Sequence, residues 1–192
     1  ITNLYGISEA SPCCSISDCR LDPLKDRLNR MGKPLPGVEM KIVNPENGES
    51  LPPNGKGEIC VRGWNLMQGY YKKPEETAKA IDGEGWLHTG DLGNMDNEGY
   101  IRTTGRLKEV IVKRGETIYP TEIEEVLFSY PKILNVQVFG LPDKEVGEEI
   151  VAWTKLEEGT SVTEDEIIRY SKGKIPDSHL PRYIKFVKEF PM

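Results

Sequence analysis

The amino-acid sequence predicts an α+β protein, in which the end of a larger domain with a small distorted β-barrel precedes a compact α+β domain. Glycine and proline, 19 and 14 of the 192 residues, mark frequent turns between short strand-like segments in the first half. In the second half, apolar residues recur at helical spacing between strand-like runs. The change falls near residues 105–109, so we divide the chain into residues 1–107 and residues 108–192.

Short strand-like segments in residues 1–107 indicate the part of the chain that resembles a barrel. Residues 39–43, 58–62 and 99–103 read as strands, and turn residues such as glycine and proline separate them. Short strands with frequent turns are typical of a small barrel or meander. One helix is predicted among them, because Pro74 is followed directly by acidic residues, as the first turn of a helix prefers.

The second half predicts alternating strands and helices that form a small sheet covered by helices. Ile123, Val126 and Leu127 share one helical face, and Thr163 with Glu166 forms the capping-box pattern of a helix start. In chain order, the sequence predicts strand 110–112, a helix from Pro120 that stops at Pro131, strands 136–139 and 150–156, a helix after Thr163, and strand 183–187.

Composition excludes several classes of protein. A net charge of −6 without a basic patch argues against a nucleic-acid partner, and the apolar runs are too short to cross a membrane. No secretory signal is visible. Cys13 and Cys14 are adjacent, and His88 and His179 lie far from them, which fits neither disulfide nor metal-ligand spacing. We therefore expect free thiols, no metal bound at the cysteines, and a reducing cytoplasmic location.

The first motif that carries chemistry is Tyr5-Gly6-Ile7-Ser8-Glu9. Ser8 can offer a hydroxyl to a phosphate oxygen, and Glu9 can offer the hard oxygen that Mg²⁺ prefers. The Tyr5 ring can lie against a purine. A strand followed by a turn explains the same residues equally well, so this motif alone predicts little.

The second motif is Trp86-Leu87-His88-Thr89-Gly90-Asp91. An aspartate after a tight glycine turn can accept hydrogen bonds from two adjacent hydroxyl groups, as on a ribose. The alternative is that Asp91 merely closes the turn, and that His88 is an ordinary packed or surface histidine.

The third motif runs from Gly105-Arg106-Leu107-Lys108 to a glycine, Gly115, that precedes a helix start. Charged residues stand between the two predicted domains, and Gly115 would let the backbone approach a ligand closely. The alternative is a plain linker followed by a hairpin and a surface helix.

The three motifs together form an ordered series: aromatic-Gly-x-Ser-Glu, Trp-x-His-Thr-Gly-Asp, Gly-Arg-x-Lys, and Gly-x-x-Ile-x-Pro-x-Glu-Ile-Glu. This series resembles the acyl-adenylate-forming superfamily, which includes acyl-CoA synthetases, amino-acid-activating domains of peptide synthetases and beetle luciferases. The resemblance covers essentially the whole chain. Segments 61–63 and 67–71 make it most similar to the medium-chain branch of the AMP-forming acyl-CoA synthetases.

The resemblance implies that residues 1–107 end the large AMP-binding domain, and that the first motif contacts the adenylate. Tyr5 would pack on adenine beside Gly6, and Ser8 would meet the phosphates. Glu9 would ligate magnesium. Threonine is more usual at Ser8, but serine keeps the hydroxyl group.

The resemblance also assigns roles to later residues. Asp91 would bind the ribose diol with help from Arg106, and Lys108 would be the hinge of a small mobile domain. Gly115 would line the channel for CoA. The implied reaction uses ATP and Mg²⁺ to activate a carboxylic acid, of the fatty-acid class, as an acyl-adenylate. It then transfers the acyl group to CoA.

Two parts of the superfamily pattern have no match in the chain. Its phosphate-binding loop lies upstream of the first motif, and its adenylation lysine follows a segment like Glu189-Phe190-Pro191. We therefore expect the chain to be a fragment without catalytic activity of its own. The alternatives are an amino-acid- or aryl-acid-activating enzyme, a non-catalytic nucleotide- or CoA-binding module, and a fragment that only docks on a partner.

Overall fold

The computed structural model describes residues 2–190, apart from the side chains of Asp26 and Asn29. The expected lysine segment after Pro191 would lie outside these residues. The chain divides into two units, residues 1–107 and residues 108–192. Among the described residues, no helix is both long and apolar enough to cross a membrane.

The first unit contains a three-stranded and a four-stranded antiparallel sheet. Strands β1, β2 and β3 pair in chain order in the smaller sheet, and β4 to β7 do so in the larger one. The elements are β1 (Leu4–Tyr5), β2 (Ser15–Ile16), α1 (Leu24–Asn29), β3 (Lys33–Pro34), β4 (Val38–Val43), β5 (Gly57–Gly63), α2 (Pro74–Ala80), β6 (Leu87–Met95) and β7 (Ile101–Arg106).

The larger sheet corrects the prediction of a barrel. Its order is β4-β5-β6-β7, and within residues 2–190 neither end strand pairs with the other, so the sheet stays open. Closure needs enough tilted strands, about eight for an interior just wide enough for side chains to fill it, and four strands fall well short. The frequent turns therefore belong to an open meander.

The alternation of buried apolar residues with more exposed residues in β4 shows why these strands form. Val38, Met40 and Ile42 point to one face and are buried, as the period of two in a strand requires. They pack with Ile59 and Val61 of β5 in a core that also receives side chains from the smaller sheet and the segment after β1. Burial of each such side chain contributes about 1.5–3 kcal/mol, so this core fixes the sheet that carries the site.

Helix α2 confirms the predicted helix start. Pro74 occupies the first turn, and acidic residues follow it. The Thr77 hydroxyl donates to the Lys73 carbonyl over 2.8 Å and accepts from the Tyr70 amide over 2.9 Å. None of the helix side chains is buried, so these local bonds define where the helix begins.

The second unit confirms the predicted alternation of strands and helices, with one additional hairpin strand, β9. Its main sheet has the order β10-β11-β8-β9, and β12 pairs in parallel with β11. The elements are β8 (Ile111–Lys113), β9 (Glu116–Ile118), α3 (Pro120–Phe128), β10 (Ile133–Asp143), β11 (Gly147–Leu156), α4 (Glu164–Ser171) and β12 (Tyr183–Phe186).

The helices of the second unit contribute to one core. Ile123 and Leu127 of α3, together with Ile167 of α4, are fully buried against Ile111 and Ile150 of the sheet. The helical spacing of Ile123 and Leu127 puts both on the face that the sequence predicted.

A buried carboxylate joins β8, β11 and the segment before β12. Glu149 is 5% exposed and pairs with Lys113 over 2.9 Å and with Arg182 over 3.0 Å. Burial acts to raise the pKa of Glu149, but the two cations outweigh it and hold this pKa below its usual value. The only paired residues of β8 and β11 are Lys113 and Gly147, so the ion pair reinforces a short strand contact.

The capping box at α4 is present as predicted. The Glu166 amide donates to the Thr163 hydroxyl over 3.3 Å, and the Thr163 amide donates to the Glu166 carboxylate over 2.8 Å. Two amides that a helix start leaves unpaired are thereby satisfied.

We expect Thr163→Ala to lower the free energy of unfolding by about 1 kcal/mol, because it removes the side-chain cap. Urea unfolding followed by circular dichroism measures this change. Thr163→Ser should restore most of the lost stability, since serine keeps the hydroxyl group. Ser161→Ala is the matched control, because Ser161 is exposed and its described contact uses the backbone carbonyl. Equal losses at Thr163 and Ser161 would contradict the capping role.

Candidate functional site

Asp91 lies inside a strand and not after a tight turn, which corrects the interpretation of the second motif. It belongs to β6, where the pairing with β5 is irregular. Glu58 faces Leu92 and Cys60 faces His88, so three residues of β6 lie opposite one residue of β5. Such a β-bulge changes the direction of the side chains that it carries, here that of Asp91. Gly90 has a φ of 71°, in the region that favours glycine.

Hydrogen bonds fix the bulge on both sides. The Thr89 hydroxyl donates to the Ile59 carbonyl over 2.7 Å and accepts from the Asp91 amide over 3.1 Å. The Gly90 amide donates to Glu58 Oε1 over 2.9 Å. The bulge therefore keeps its backbone amides satisfied without the ladder bonds of a regular strand.

Three of the predicted site residues meet at the bulge. The Tyr5 hydroxyl donates to Asp91 Oδ2 over 2.9 Å, and Arg106 Nε lies 3.5 Å from Asp91 Oδ1. Burial, together with the neighbouring Asp91 charge, raises the pKa of Tyr5, so its hydroxyl stays a donor. The Asp91 side chain is 17% exposed and its oxygens have lone pairs to spare, so it can accept hydroxyl groups from a ligand.

Tyr5 itself is 7% exposed, and most of its ring packs in the core of the first unit. Gly6 is required at its position, because a Cβ atom there would overlap the backbone carbonyl of Pro12. The structure thus explains Tyr5 and Gly6 by packing and by the bond to Asp91. The predicted contact of Tyr5 with adenine stays a prediction.

Ser8 and Glu9 lie together on a short 3-10 helix, Ser8–Ala10, that follows β1. Ser8 is exposed, and Glu9 Oε1 accepts from the Tyr70 hydroxyl over 2.9 Å. This hydrogen bond raises the pKa of Tyr70. Sequence reasoning missed Tyr70 as a partner of Glu9, since the segment 67–71 was noted only for its similarity to acyl-CoA synthetases.

Lys108 and Gly115 belong to the second unit. Lys108 is exposed on a 3-10 helix, Leu107–Glu109, where the two units divide. Arg114 and Gly115 connect β8 to β9 with φ of 53° and 79°, the positive values of a two-residue hairpin turn. The hairpin therefore explains the glycine, and the open space beside it leaves room for a ligand.

Strand pairing also brings Glu58, Cys60 and His88 together, although the sequence placed the histidines far from the cysteines. His88 Nδ1 lies 2.9 Å from Glu58 Oε2 and 3.6 Å from the Cys60 sulfur. These are metal-ligand residue types within 4.8 Å of one another. Burial, with a smaller effect of the Glu58 charge, raises the pKa of Cys60 to about 12, which opposes the thiolate that a metal needs. We interpret the group as a structural network.

Models of one protein family match both ends of the chain. The AMP-binding enzyme model matches residues 1–71, and the AMP-binding enzyme C-terminal domain model matches residues 122–192. The chain belongs to the AMP-binding enzyme family. This confirms the family that the motifs indicated.

Two curated relatives among the AMP-binding enzymes match nearly the whole chain. It is 47% identical to a putative acyl-CoA synthetase, YngI, of Bacillus subtilis over 100% of this chain and 35% of that protein. It is 39% identical to the mitochondrial medium-chain acyl-CoA ligase ACSF2 of Rattus norvegicus over 98% of this chain and 31% of that protein. The chain thus spans about a third of the length of these relatives.

Solved AMP-binding enzymes share the fold. ATP-bound MatB from Rhodopseudomonas palustris is 30% identical, with a TM-score of 0.94 over 100% of this chain and 37% of that one. The amide bond synthetase McbA from Marinactinospora thermotolerans is 32% identical, with a TM-score of 0.88 over 99% of this chain and 38% of that one.

We expect three of the four thiols, those of Cys14, Cys19 and Cys60, to react in two classes. Cys19 is exposed, whereas burial raises the pKa of Cys14 to about 11 and that of Cys60 to about 12, so little thiolate forms near neutral pH. An aromatic disulfide reagent at pH 8, with the labelled sites mapped by mass spectrometry, should modify Cys19 first. Cys14 and Cys60 should react only after unfolding, so labelling of the unfolded protein is the control. Labelling of native Cys60 at the rate of Cys19 would contradict this burial.

Proposed function

We propose that the protein containing this chain is an AMP-forming acid–CoA ligase that activates a carboxylic acid, of the fatty-acid class, as an acyl-adenylate. The observation that carries the proposal is the Asp91 carboxylate, held on a bulge of β6 between Tyr5 and Arg106. Similarity to acyl-CoA synthetases and to an ATP-bound structure supports it. The activity of the whole protein is part of the proposal, because the chain spans about a third of such relatives.

In this proposal Asp91 accepts the two ribose hydroxyl groups of ATP. Its bond from Tyr5 and its proximity to Arg106 hold the carboxylate in one orientation, so it needs no reorganisation when the nucleotide arrives. The Arg106 side chain is 57% exposed and would also contact the adenylate. Tyr5 would border the adenine.

Glu9 fits the requirements of a magnesium ligand. It offers a carboxylate, one oxygen of which is held by Tyr70, and Mg²⁺ typically takes one or two carboxylates together with substrate phosphates. When bound, Mg²⁺ would supply charge neutralisation at the phosphates. Ser8, exposed one residue earlier, would donate its hydroxyl to a phosphate oxygen.

The second unit would complete the reaction. We propose that residues 1–107 end the large AMP-binding domain and that residues 108–192 form its mobile small domain, with Lys108 as the hinge. Gly115 would line the passage of CoA to the adenylate. The adenylate is a mixed anhydride, so attack by the CoA thiolate releases AMP and leaves the acyl thioester. A cytoplasmic location stays a prediction.

A second candidate differs in the acceptor of the acyl group. The likeness to the amide bond synthetase McbA favours it, since that protein shares the same fold at similar identity. In this candidate, an amine replaces the CoA thiol, and the adenylation half-reaction is unchanged. Incubation of the full-length protein with ATP, a panel of fatty, aryl and amino acids, and either CoA or an amine distinguishes thioester from amide products.

We expect Asp91→Ala in the full-length protein to weaken ATP binding by about 10- to 100-fold, because a charged acceptor of hydrogen bonds is lost. Calorimetric titration with ATP measures the change. Lys108→Ala is the comparison and should leave the affinity for ATP within about twofold, since the exposed lysine is not part of the ribose contact. Equal weakening by both substitutions would contradict the role of Asp91.

We expect Lys108→Pro to slow acyl transfer to CoA more than adenylate formation. Proline fixes its own φ and restricts the residue before it, so a backbone rotation between the two half-reactions would be hindered. Acid-dependent exchange of pyrophosphate into ATP measures the first half-reaction, and thioester formation from preformed acyl-adenylate measures the second. Parallel loss of both rates would rule out a hinge at Lys108.

A further inference from the structure

Glu58 is a buried carboxylate that the motifs do not include. It lies on β5, is 7% exposed, and directs its two oxygens to different partners. Oε1 accepts from the Gly90 amide over 2.9 Å, and Oε2 lies 2.9 Å from His88 Nδ1. A buried polar group is costly unless it is hydrogen-bonded, and the described hydrogen-bond partners of Glu58, Gly90 and His88, both belong to β6.

The bond to Gly90 acts where the pairing of β5 with β6 departs from a regular ladder. Thr89, Gly90 and Asp91 lie opposite Ile59, so the Gly90 amide has no ladder partner and takes the Glu58 oxygen instead. Without that acceptor the Gly90 amide would have no hydrogen-bond partner. The resulting free-energy penalty would favour a different backbone conformation at residues 89–91. A shift of one residue in the pairing register turns each side chain of the strand to the opposite face of the sheet. Such a shift would turn Asp91 away from Tyr5 and Arg106.

His88 and Asp82 hold the other side of Glu58. His88 Nε2 lies 3.6 Å from Asp82 Oδ2, so the imidazole stands between two carboxylates. Burial acts to raise the pKa of Asp82, but amide donors from Trp86 and Glu84, together with His88, outweigh it and lower this pKa. The imidazole therefore lies between two carboxylates, and Glu58 cannot swing away from Gly90 without also leaving His88 Nδ1.

We propose that Glu58 is a positioning residue for nucleotide recognition: its carboxylate locks the bulge of β6 and so aims Asp91 at the ribose. Glu58 does not touch the ligand and acts only through Gly90 and Asp91. This inference rests on the proposed function, in which Asp91 accepts the ribose hydroxyl groups. It adds a residue from a neighbouring strand, 33 positions earlier in the chain, to the requirements of the site.

The test compares ATP with 2′,3′-dideoxy-ATP, which lacks the hydroxyl groups, as ligands of the full-length protein. We expect Glu58→Ala to raise the Kd for ATP about tenfold and the Kd for the dideoxy nucleotide by less than about twofold. Glu58→Gln should have a smaller effect, because its amide oxygen can still accept from Gly90. In the Asp91→Ala background, Glu58→Ala should cause no further loss of ATP affinity, since both act through one contact.

A matched control and a second variant separate positioning from general instability. Glu39→Ala removes another glutamate of the same sheet, whose partner is the exposed Arg62, and should leave both Kd values unchanged. Thr89→Val removes the hydroxyl that holds the opposite side of the bulge and should reproduce the selective loss for ATP, while Thr89→Ser should restore it. Thermal unfolding of each variant identifies any that fails to fold. If Glu58→Ala fails to fold, the comparison of Thr89→Val with Thr89→Ser tests the locked bulge instead.

The outcomes are distinct. Selective loss for ATP in Glu58→Ala or Thr89→Val, absent in the Asp91→Ala background, supports the proposal. Equal loss for both nucleotides, or loss that adds to that of Asp91→Ala, overturns the positioning role and leaves the role of Asp91 intact. If Asp91→Ala itself does not distinguish ATP from the dideoxy nucleotide, the ribose contact is wrong, and both the positioning role and that part of the proposed function fail.

Discussion

The pairing of β5 with β6, with three residues opposite one, is the constraint on which the candidate site depends. A regular ladder would have satisfied the backbone of Thr89, Gly90 and Asp91 by itself, but it would also have fixed where each side chain points. The bulge gives up those bonds and recovers them from the Thr89 hydroxyl and the buried Glu58 carboxylate. The Thr89 hydroxyl and the positive φ of Gly90 therefore serve one backbone distortion, which places the Asp91 carboxylate between Tyr5 and Arg106.

The sequence grouped Asp91, Tyr5 and Arg106 through likeness to a family and not through their geometry. The structure brings the three side chains together, and their role at a nucleotide stays a prediction. Local patterns predicted the elements that depend on neighbouring residues, such as the start of α2 and the capping box of α4. They did not predict that His88 meets Glu58, because that contact arises from strand pairing across 30 positions. A periodicity of two or 3.6 records which face a residue occupies and carries no information about its partner in another strand.

The same limit explains the two corrections to the predicted architecture. Turn residues and short strands indicate a meander, but whether its ends close into a barrel depends on the number and tilt of strands, which no local pattern contains. Asp91 was interpreted as following a tight turn at Gly90, whereas pairing with the neighbouring strand extends the chain on both sides of that glycine. Gly115 shows the opposite case, since the local hairpin alone explains its positive φ.

The origin of the contacts at Asp91 bears on how one nucleotide site can serve two half-reactions. Tyr5, Thr89 and Arg106, which contact Asp91, all belong to the first unit, as does Glu58 behind the bulge. In the proposed function, the contact of Asp91 with the ribose can therefore form before any residue of the second unit takes part. If the second unit rotates about Lys108 between the proposed half-reactions, the adenylate need not be released and rebound, because the buried network that aims Asp91 is not part of the moving body. Burial of the Glu58 carboxylate is unfavourable by itself. In return, Asp91 keeps its orientation while the second unit moves between the proposed half-reactions.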